Sequence, residues 1–164
     1  MGFGSLILWA VSLVKKQVPL RNENLKRTLI AGIFLGIHFA LFFGAIKLTT
    51  IANATFLGTL APLITFFIEK FILKRNHAPT LIFGLGLAIC GAIIIVGNRF
   101  VFSSDYTIGN LLAVVCSIFL GMAFIISENV RKEVGTISYS RTLFSTASVT
   151  LFIIAFLMGT ALTG

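Results

Sequence analysis

Long apolar stretches alternate with short polar segments along the whole chain. The apolar stretches cover Gly2–Val14, Thr28–Leu48, Thr50–Leu73, Thr80–Gly97, Asn110–Ile126 and Thr142–Leu162. Five of them approach the roughly 20 residues that a helix needs to cross a bilayer, whereas the first would span only about 20 Å. Runs this long predict helices, because the strands of a membrane barrel are short and alternate in polarity. The pattern therefore predicts an all-α, polytopic membrane helix bundle with six transmembrane helices.

Composition and charge support a membrane protein and add an orientation. Apolar residues make up 57% of the chain and charged residues only 11%, against about a quarter charged in a typical soluble domain. Basic side chains concentrate in alternate loops, at Lys15, Lys16, Arg21, Lys26, Arg27, Lys70, Lys74, Arg75, Arg131, Lys132 and Arg141. The positive-inside rule makes those loops cytoplasmic, which puts the first residue outside. We interpret these charges as solvated loop residues, so the net charge of +8 gives no reason to expect a nucleic-acid partner.

The two ends of the chain are unusual for a complete membrane protein. The first stretch is short and would begin outside, and the last ends without a basic anchor. We therefore expect a piece of a longer protein, with more helices before and after it. A complete and functional chain of this length would instead favour a dimer.

Small residues recur four positions apart in several of the predicted helices. Such ridges let helices approach closely in lipid, where packing must replace the hydrophobic driving force. We expect close helix packing at Gly32, Gly36, Gly44, Gly84, Gly91 and Gly121.

The third stretch contains a proline and an acid among apolar residues. At about 100° per residue, one narrow stripe would hold Thr55, Gly58, Pro62, Thr65 and Glu69. Pro62 has no N–H to give to the carbonyl of Gly58, and a freed carbonyl in hydrocarbon needs another partner. Two interpretations remain equally open, a structural kink and the wall of a solute pathway.

Two titratable side chains in the predicted helices allow both a structural and a functional interpretation. Glu69 is either a buried functional acid or a carboxylate that reaches the headgroups near the basic end of its helix. Glu128, by contrast, has Lys132 one turn later and predicts an ordinary interfacial pair. His38 lies at mid-membrane depth, where we favour a packing histidine slightly over a substrate contact.

Catalytic and metal-binding motifs are missing from the sequence. It contains no G-x-S-x-G, H-E-x-x-H or P-loop pattern. Cys90 and Cys116 lie on different apolar stretches and predict neither a disulfide nor a metal site. We expect no enzyme activity and no cofactor. An intramembrane enzyme and a non-transporting structural subunit remain the alternatives to a transporter.

An ordered set of loose motifs resembles the EamA-type carriers of the drug/metabolite transporter superfamily. The motifs are a small-residue helix ending in Thr49–Ala54, Pro62 with Leu63 in the next helix, and a glycine-rich helix from Gly84 to Gly91. Residues from Gly109 to Ser127 resemble the start of the second half of that family. The sequence departs from the family at Arg75, where an acid is usual, and at Leu120, where tryptophan is frequent.

The resemblance implies ten helices in two inverted repeats, of which this chain would hold helices two to seven. Residues 1–98 would then be the remainder of the first repeat, and residues 108–164 the start of the second. It also implies a secondary transporter of the inner (plasma) membrane that moves a small organic metabolite by alternating access. On this match, the central cavity would be faced by the helix stripes through His38, Pro62 and Ser117.

Overall fold

The computed structural model describes residues 2–14 and 20–159, and every regular element in those ranges is helical. The α-helices are α1 (Gly2–Val14), α2 (Asn22–Leu48), α3 (Ile51–Gly58), α4 (Ala61–Phe67), α5 (Pro79–Val96), α6 (Thr107–Arg131) and α7 (Thr136–Leu157). A π-helical segment, Ile68–Ile72, continues α4 directly. Short 3-10 turns cover Gly97–Arg99 and Ser104–Tyr106. The predicted helical membrane bundle is confirmed.

Five helical segments are long and apolar enough to cross a membrane: Asn22–Leu48, Ile51–Ile72, Pro79–Val96, Ser104–Arg131 and Thr136–Leu157. The remaining apolar helix, α1, has 13 residues. Three helices begin before the apolar stretches that predicted them, because their polar first turns are also helical. Helix α2 begins at Asn22 rather than Thr28, α6 at Thr107 rather than Asn110, and α7 at Thr136 rather than Thr142. Lys15, Lys16 and the predicted end of the last helix at residues 160–162 lie outside the described residues.

One compact unit contains residues 1–40 and 122–164. Within it, α1 and α7 run antiparallel, since Ser5 bonds Ser145 whereas Ser12 bonds Arg141. Helices α2 and α7 approach at two glycines. A Cβ added at Gly32 would lie 2.6 Å from the Thr146 side chain. The close approach expected at this glycine is therefore present in the unit.

Arg141 corrects the prediction of a solvated loop charge. It lies in the second turn of α7 rather than in the preceding loop. Its side chain packs on α1, and only 9% of the residue is exposed. The sequence pattern placed the start of this helix too late, because Thr136–Arg141 is polar yet helical.

The other compact unit contains residues 41–121. Its core is built from small side chains, Ala45, Ala54 and Ala113, with larger apolar residues packed around them. An added Cβ at Gly109 would lie 2.5 Å from the backbone of Leu48, so this glycine allows the start of α6 to touch the end of α2. Helix α5 contributes no fully buried residue to the unit.

The glycine contacts lead to a stability prediction. A Cβ added at Gly36 would lie 2.7 Å from the Thr150 side chain and 2.9 Å from the carbonyl oxygen of Ala147. We expect Gly36→Ala to lower the free energy of unfolding by about 2 kcal/mol, because the backbone of α7 cannot move aside cheaply. Titration with SDS in mixed micelles, followed by circular dichroism, measures this loss.

Gly84→Ala is the matched control. A Cβ at Gly84 meets no atom within 4 Å, and alanine is the better helix former. We expect unchanged or slightly raised stability. An equal loss in both variants would contradict the assignment of the Gly36→Ala effect to contact with α7.

Candidate functional site

The membrane-crossing segment Ile51–Ile72 is interrupted in its middle. Helix α3 ends at Gly58, and α4 begins at Ala61 with Pro62 in its first turn. The carbonyl oxygen of Leu57 accepts a 3.3 Å bond from the N–H of Leu60. It also accepts a 2.5 Å bond from the hydroxyl of Ser117 on α6. A side chain of a neighbouring helix thus satisfies a backbone group at the break, as membrane proteins require.

The same face of α6 holds both halves of the interrupted segment. The Gly58 position is filled by the ring of Phe42 and by Cys116, which an added Cβ would meet at 3.2 and 3.9 Å. An added Cβ on Gly121 would lie 3.1 Å from the Thr65 hydroxyl oxygen. That hydroxyl donates to the carbonyl of Ala61 at 2.9 Å. Gly58 and Thr65 therefore pack against protein.

Pro62 lies on a different surface. It lines a groove of about 310 Å³ between the interrupted segment and α5. The walls are almost entirely apolar and comprise Phe56, Thr59, Leu60, Leu63, Leu85, Ala88, Ile89, Gly91, Ala92 and Ile95. The small residues of α5 leave this space open, because bulkier side chains there would fill it.

The structure does not bring the five residues of the predicted stripe onto one surface. Thr55 is exposed, Gly58 and Thr65 face α6, and Pro62 lines the groove with α5. The stripe was projected from one continuous helix. Gly58, before the turn at Thr59–Leu60, and Thr65, after it, still share the surface packed on α6, whereas Pro62 and Thr55 do not belong to that surface.

Glu69 belongs to a charged cluster at the far end of this segment. Its carboxylate lies 2.7 Å from Nη1 of Arg75 and 3.6 Å from Nε2 of His77. The reversal of the chain after the π-helical segment, with Lys74 at φ 52°, brings Arg75 and His77 back to Glu69. Sequence analysis missed this cluster, because no spacing rule for an α-helix places Arg75 near Glu69.

His38 is buried, with 8% of the residue exposed. Its ring lies 5.0 Å from that of Phe39 in an edge-to-face arrangement. Within residues 2–14 and 20–159, no three histidine, cysteine, aspartate or glutamate side chains are close enough together to hold a metal ion.

A buried amide network joins α3 to the start of α6. Asn53 is fully buried, and its side chain makes paired bonds of 2.9 and 3.0 Å with the backbone of Val101. Asn110 accepts bonds from Asn53 and from the hydroxyl of Thr49. The sequence signal for this network was the single asparagine in the apolar run Thr50–Leu73.

Comparison with known proteins identifies the family. A model of the EamA-like transporter family matches residues 1–97. The chain belongs to the EamA-like transporter family. It is accordingly a multi-pass membrane protein of the drug/metabolite transporter type, as the sequence motifs predicted. The matched range contains the interrupted segment, the groove beside Pro62 and the Glu69 cluster.

A solved structure shares the fold of this EamA-like chain. It is described only as "Crystal structure of protein", and it superimposes with a TM-score of 0.73 at 23% sequence identity. The match covers 95% of this chain and 55% of the other. The chain thus spans little more than half the length of that structure. No curated protein matches the chain.

The bond across the helix break generates a prediction. Ser117→Ala removes the hydroxyl donor from the Leu57 carbonyl and leaves the small side chain volume nearly unchanged. We expect a loss of about 1 kcal/mol in the free energy of unfolding, a typical value for a hydrogen bond between membrane helices. SDS titration of the reconstituted chain measures it.

Ser148→Ala is the control, because the Ser148 hydroxyl bonds the carbonyl of Phe144 within its own helix. It should leave stability nearly unchanged. Equal effects of the two substitutions would contradict the role of Ser117 in satisfying the interrupted segment.

Proposed function

We propose that this EamA-like chain takes part in moving a small organic solute across the inner membrane by alternating access. Residues 1–98 would belong to the first of two inverted repeats and residues 108–164 to the second, with rocking between repeats exposing the solute to each side in turn. Family membership supports transport, and the groove beside Pro62 is the observation that supports an organic solute.

The size and chemistry of the groove indicate the kind of solute. Its volume of about 310 Å³ falls at the lower end of the range of small-molecule sites. The lining offers one hydroxyl, that of Thr59, among apolar side chains. Such a surface suits the apolar part of a metabolite, with polar recognition supplied elsewhere.

The roles of the predicted site residues can be divided on this basis. Pro62 contacts the solute, whereas Gly58, Thr65 and Ser117 keep the interrupted segment on α6. Glu69 anchors the basic end of the segment through Arg75, at a 2.7 Å separation. Thr55 and His38 remain candidates at the pathway without a contact to the groove.

A pair of glycines on α5 tests the groove. An added Cβ meets no atom within 4 Å at either Gly91 or Gly86, but only Gly91 lines the groove. We expect Gly91→Leu to reduce solute uptake about tenfold or more, because leucine occupies volume that the solute needs. Gly86→Leu should leave uptake near the original value.

The measurement uses the chain in liposomes and a panel of labelled amino acids, organic acids and nucleosides. Saturable uptake above protein-free liposomes identifies a transported solute, and the two variants are then compared on it. Absence of saturable uptake for every compound would contradict transport by this chain. Equal uptake by both variants would remove the groove from the pathway.

Orientation gives a second prediction. In a chain with Cys90 and Cys116 replaced by alanine, an impermeant maleimide should label Ser104→Cys on intact cells. Asn24→Cys and Gly135→Cys should react only after permeabilisation, since the positive-inside rule makes their loops cytoplasmic. Labelling of Asn24→Cys on intact cells would reverse the proposed topology.

A further inference from the structure

Arg141 is a buried cation inside a membrane-crossing helix. It lies in the second turn of α7, and only 9% of the residue is exposed. Charged side chains within membrane segments are costly, and those that persist mark functional sites. The surroundings of Arg141 therefore need an account.

The partners of the guanidinium are all neutral. Its Nη1 donates to the hydroxyl of Ser12 on α1. Its central carbon lies 4.6 Å from the centre of the Trp9 ring. The indole N–H of Trp9 in turn donates to Ser145 at 3.0 Å, and Ser5 shares a 2.6 Å bond with the same serine.

This polar seam between α1 and α7 supplies dipoles but no negative charge. The Nε of Arg141 has no hydrogen-bond partner among the described residues. One guanidinium edge is thus left without an acceptor, although it is buried.

No acidic side chain pairs with Arg141 among the described residues. The chain contains five aspartate and glutamate side chains, and all five are among the described residues. Four of them have other partners: Glu23 pairs with Arg27, Glu69 with Arg75, Glu128 with Lys132, and Glu133 accepts from Asn24. The fifth, Asp105, lies in the 3-10 turn Ser104–Tyr106. None of the ion pairs among the described residues includes Arg141, so we look for its counter-ion beyond them.

We propose that Arg141 and Trp9 form a binding site for an oxyanion, a carboxylate or a phosphate group. Arginine presents a planar fork of donors that matches two oxygens of such a group. The anion displaces the Ser12 hydroxyl from Nη1 and takes the free Nε–H as its second donor. One hydrogen bond to a neutral acceptor is thereby exchanged for two bonds to an anionic acceptor.

Trp9 both completes the site and reports on it. The guanidinium carbon lies over the indole ring, and this cation–π contact uses none of the N–H donors of Arg141. Trp9 is also the only tryptophan of the chain. Movement of Arg141 toward an anion changes the surroundings of this indole, so intrinsic fluorescence measures occupancy of this site directly.

The experiment places the purified full chain in phosphatidylcholine nanodiscs and titrates succinate and inorganic phosphate against Trp9 emission. Succinamide serves as the uncharged counterpart of succinate. A second set of nanodiscs contains phosphatidylglycerol and receives no soluble anion. We expect a saturable emission change with an anion and none with succinamide.

Three variants assign the signal to Arg141. Arg141→Gln should abolish the change. Arg141→Lys, which keeps the charge but loses the fork, should weaken apparent affinity about tenfold. Lys132→Gln removes a charge from an exposed pair elsewhere and should leave the titration unaltered. Circular dichroism checks that each variant is folded.

The outcomes separate the two sources of the anion. A change with succinate or phosphate in phosphatidylcholine supports a site for soluble anions. A change only with phosphatidylglycerol, lost in Arg141→Gln, supports the same site occupied by a lipid headgroup. No anion-dependent change, or an equal one in Arg141→Gln, overturns the proposal, as does native affinity in Arg141→Lys. Since binding is measured without transport, this result is independent of the uptake experiments.

Discussion

Every backbone carbonyl in hydrocarbon needs a donor, and this requirement governs how the interrupted segment is built. The break between Gly58 and Ala61 would leave backbone groups unsatisfied in an isolated helix. The Ser117 hydroxyl meets that need at Leu57, and it can do so because α6 presents small residues at Cys116, Ser117 and Gly121. Three residues thus act together: Pro62 begins the second half of the segment, Ser117 satisfies a carbonyl at the break, and Gly121 allows close packing on α6.

The packing of the interrupted segment on α6 also determines where its surface remains uncovered. Because Gly58 and Thr65 are held on α6, the opposite side of the segment is free to form the groove with α5. The small residues of α5 do not pack closely against this segment but widen the groove. The same residue pattern, a glycine or alanine every fourth position, therefore supports close contact on α2 and an open surface on α5.

A related requirement applies to the basic side chains in the helices, because a cation at membrane depth needs a hydrogen-bond acceptor or an aromatic ring beside it. At the end of the interrupted segment, Arg75 pairs with the Glu69 carboxylate, and this pair anchors a turn. Among the described residues, Arg141 on α7 contacts a hydroxyl and an indole ring but no carboxylate. The proposed oxyanion supplies the missing negative charge.

Sequence alone determined the fold class, the approximate helices and the family, because long apolar runs have few structures available in lipid. It also identified Pro62 as a break and Gly36 as a close contact, since both effects act through backbone geometry. Tertiary structure alone decided which surface each residue faces. Packing places Gly58 and Thr65 of the predicted stripe against α6 and Pro62 in the groove with α5. A chain reversal at Lys74 brings Arg75 to Glu69. The burial of Arg141 could not be predicted from the sequence either. Hydrophobic periodicity describes spacing within one helix, whereas the contacts of Arg141 with α1 depend on how the helices pack.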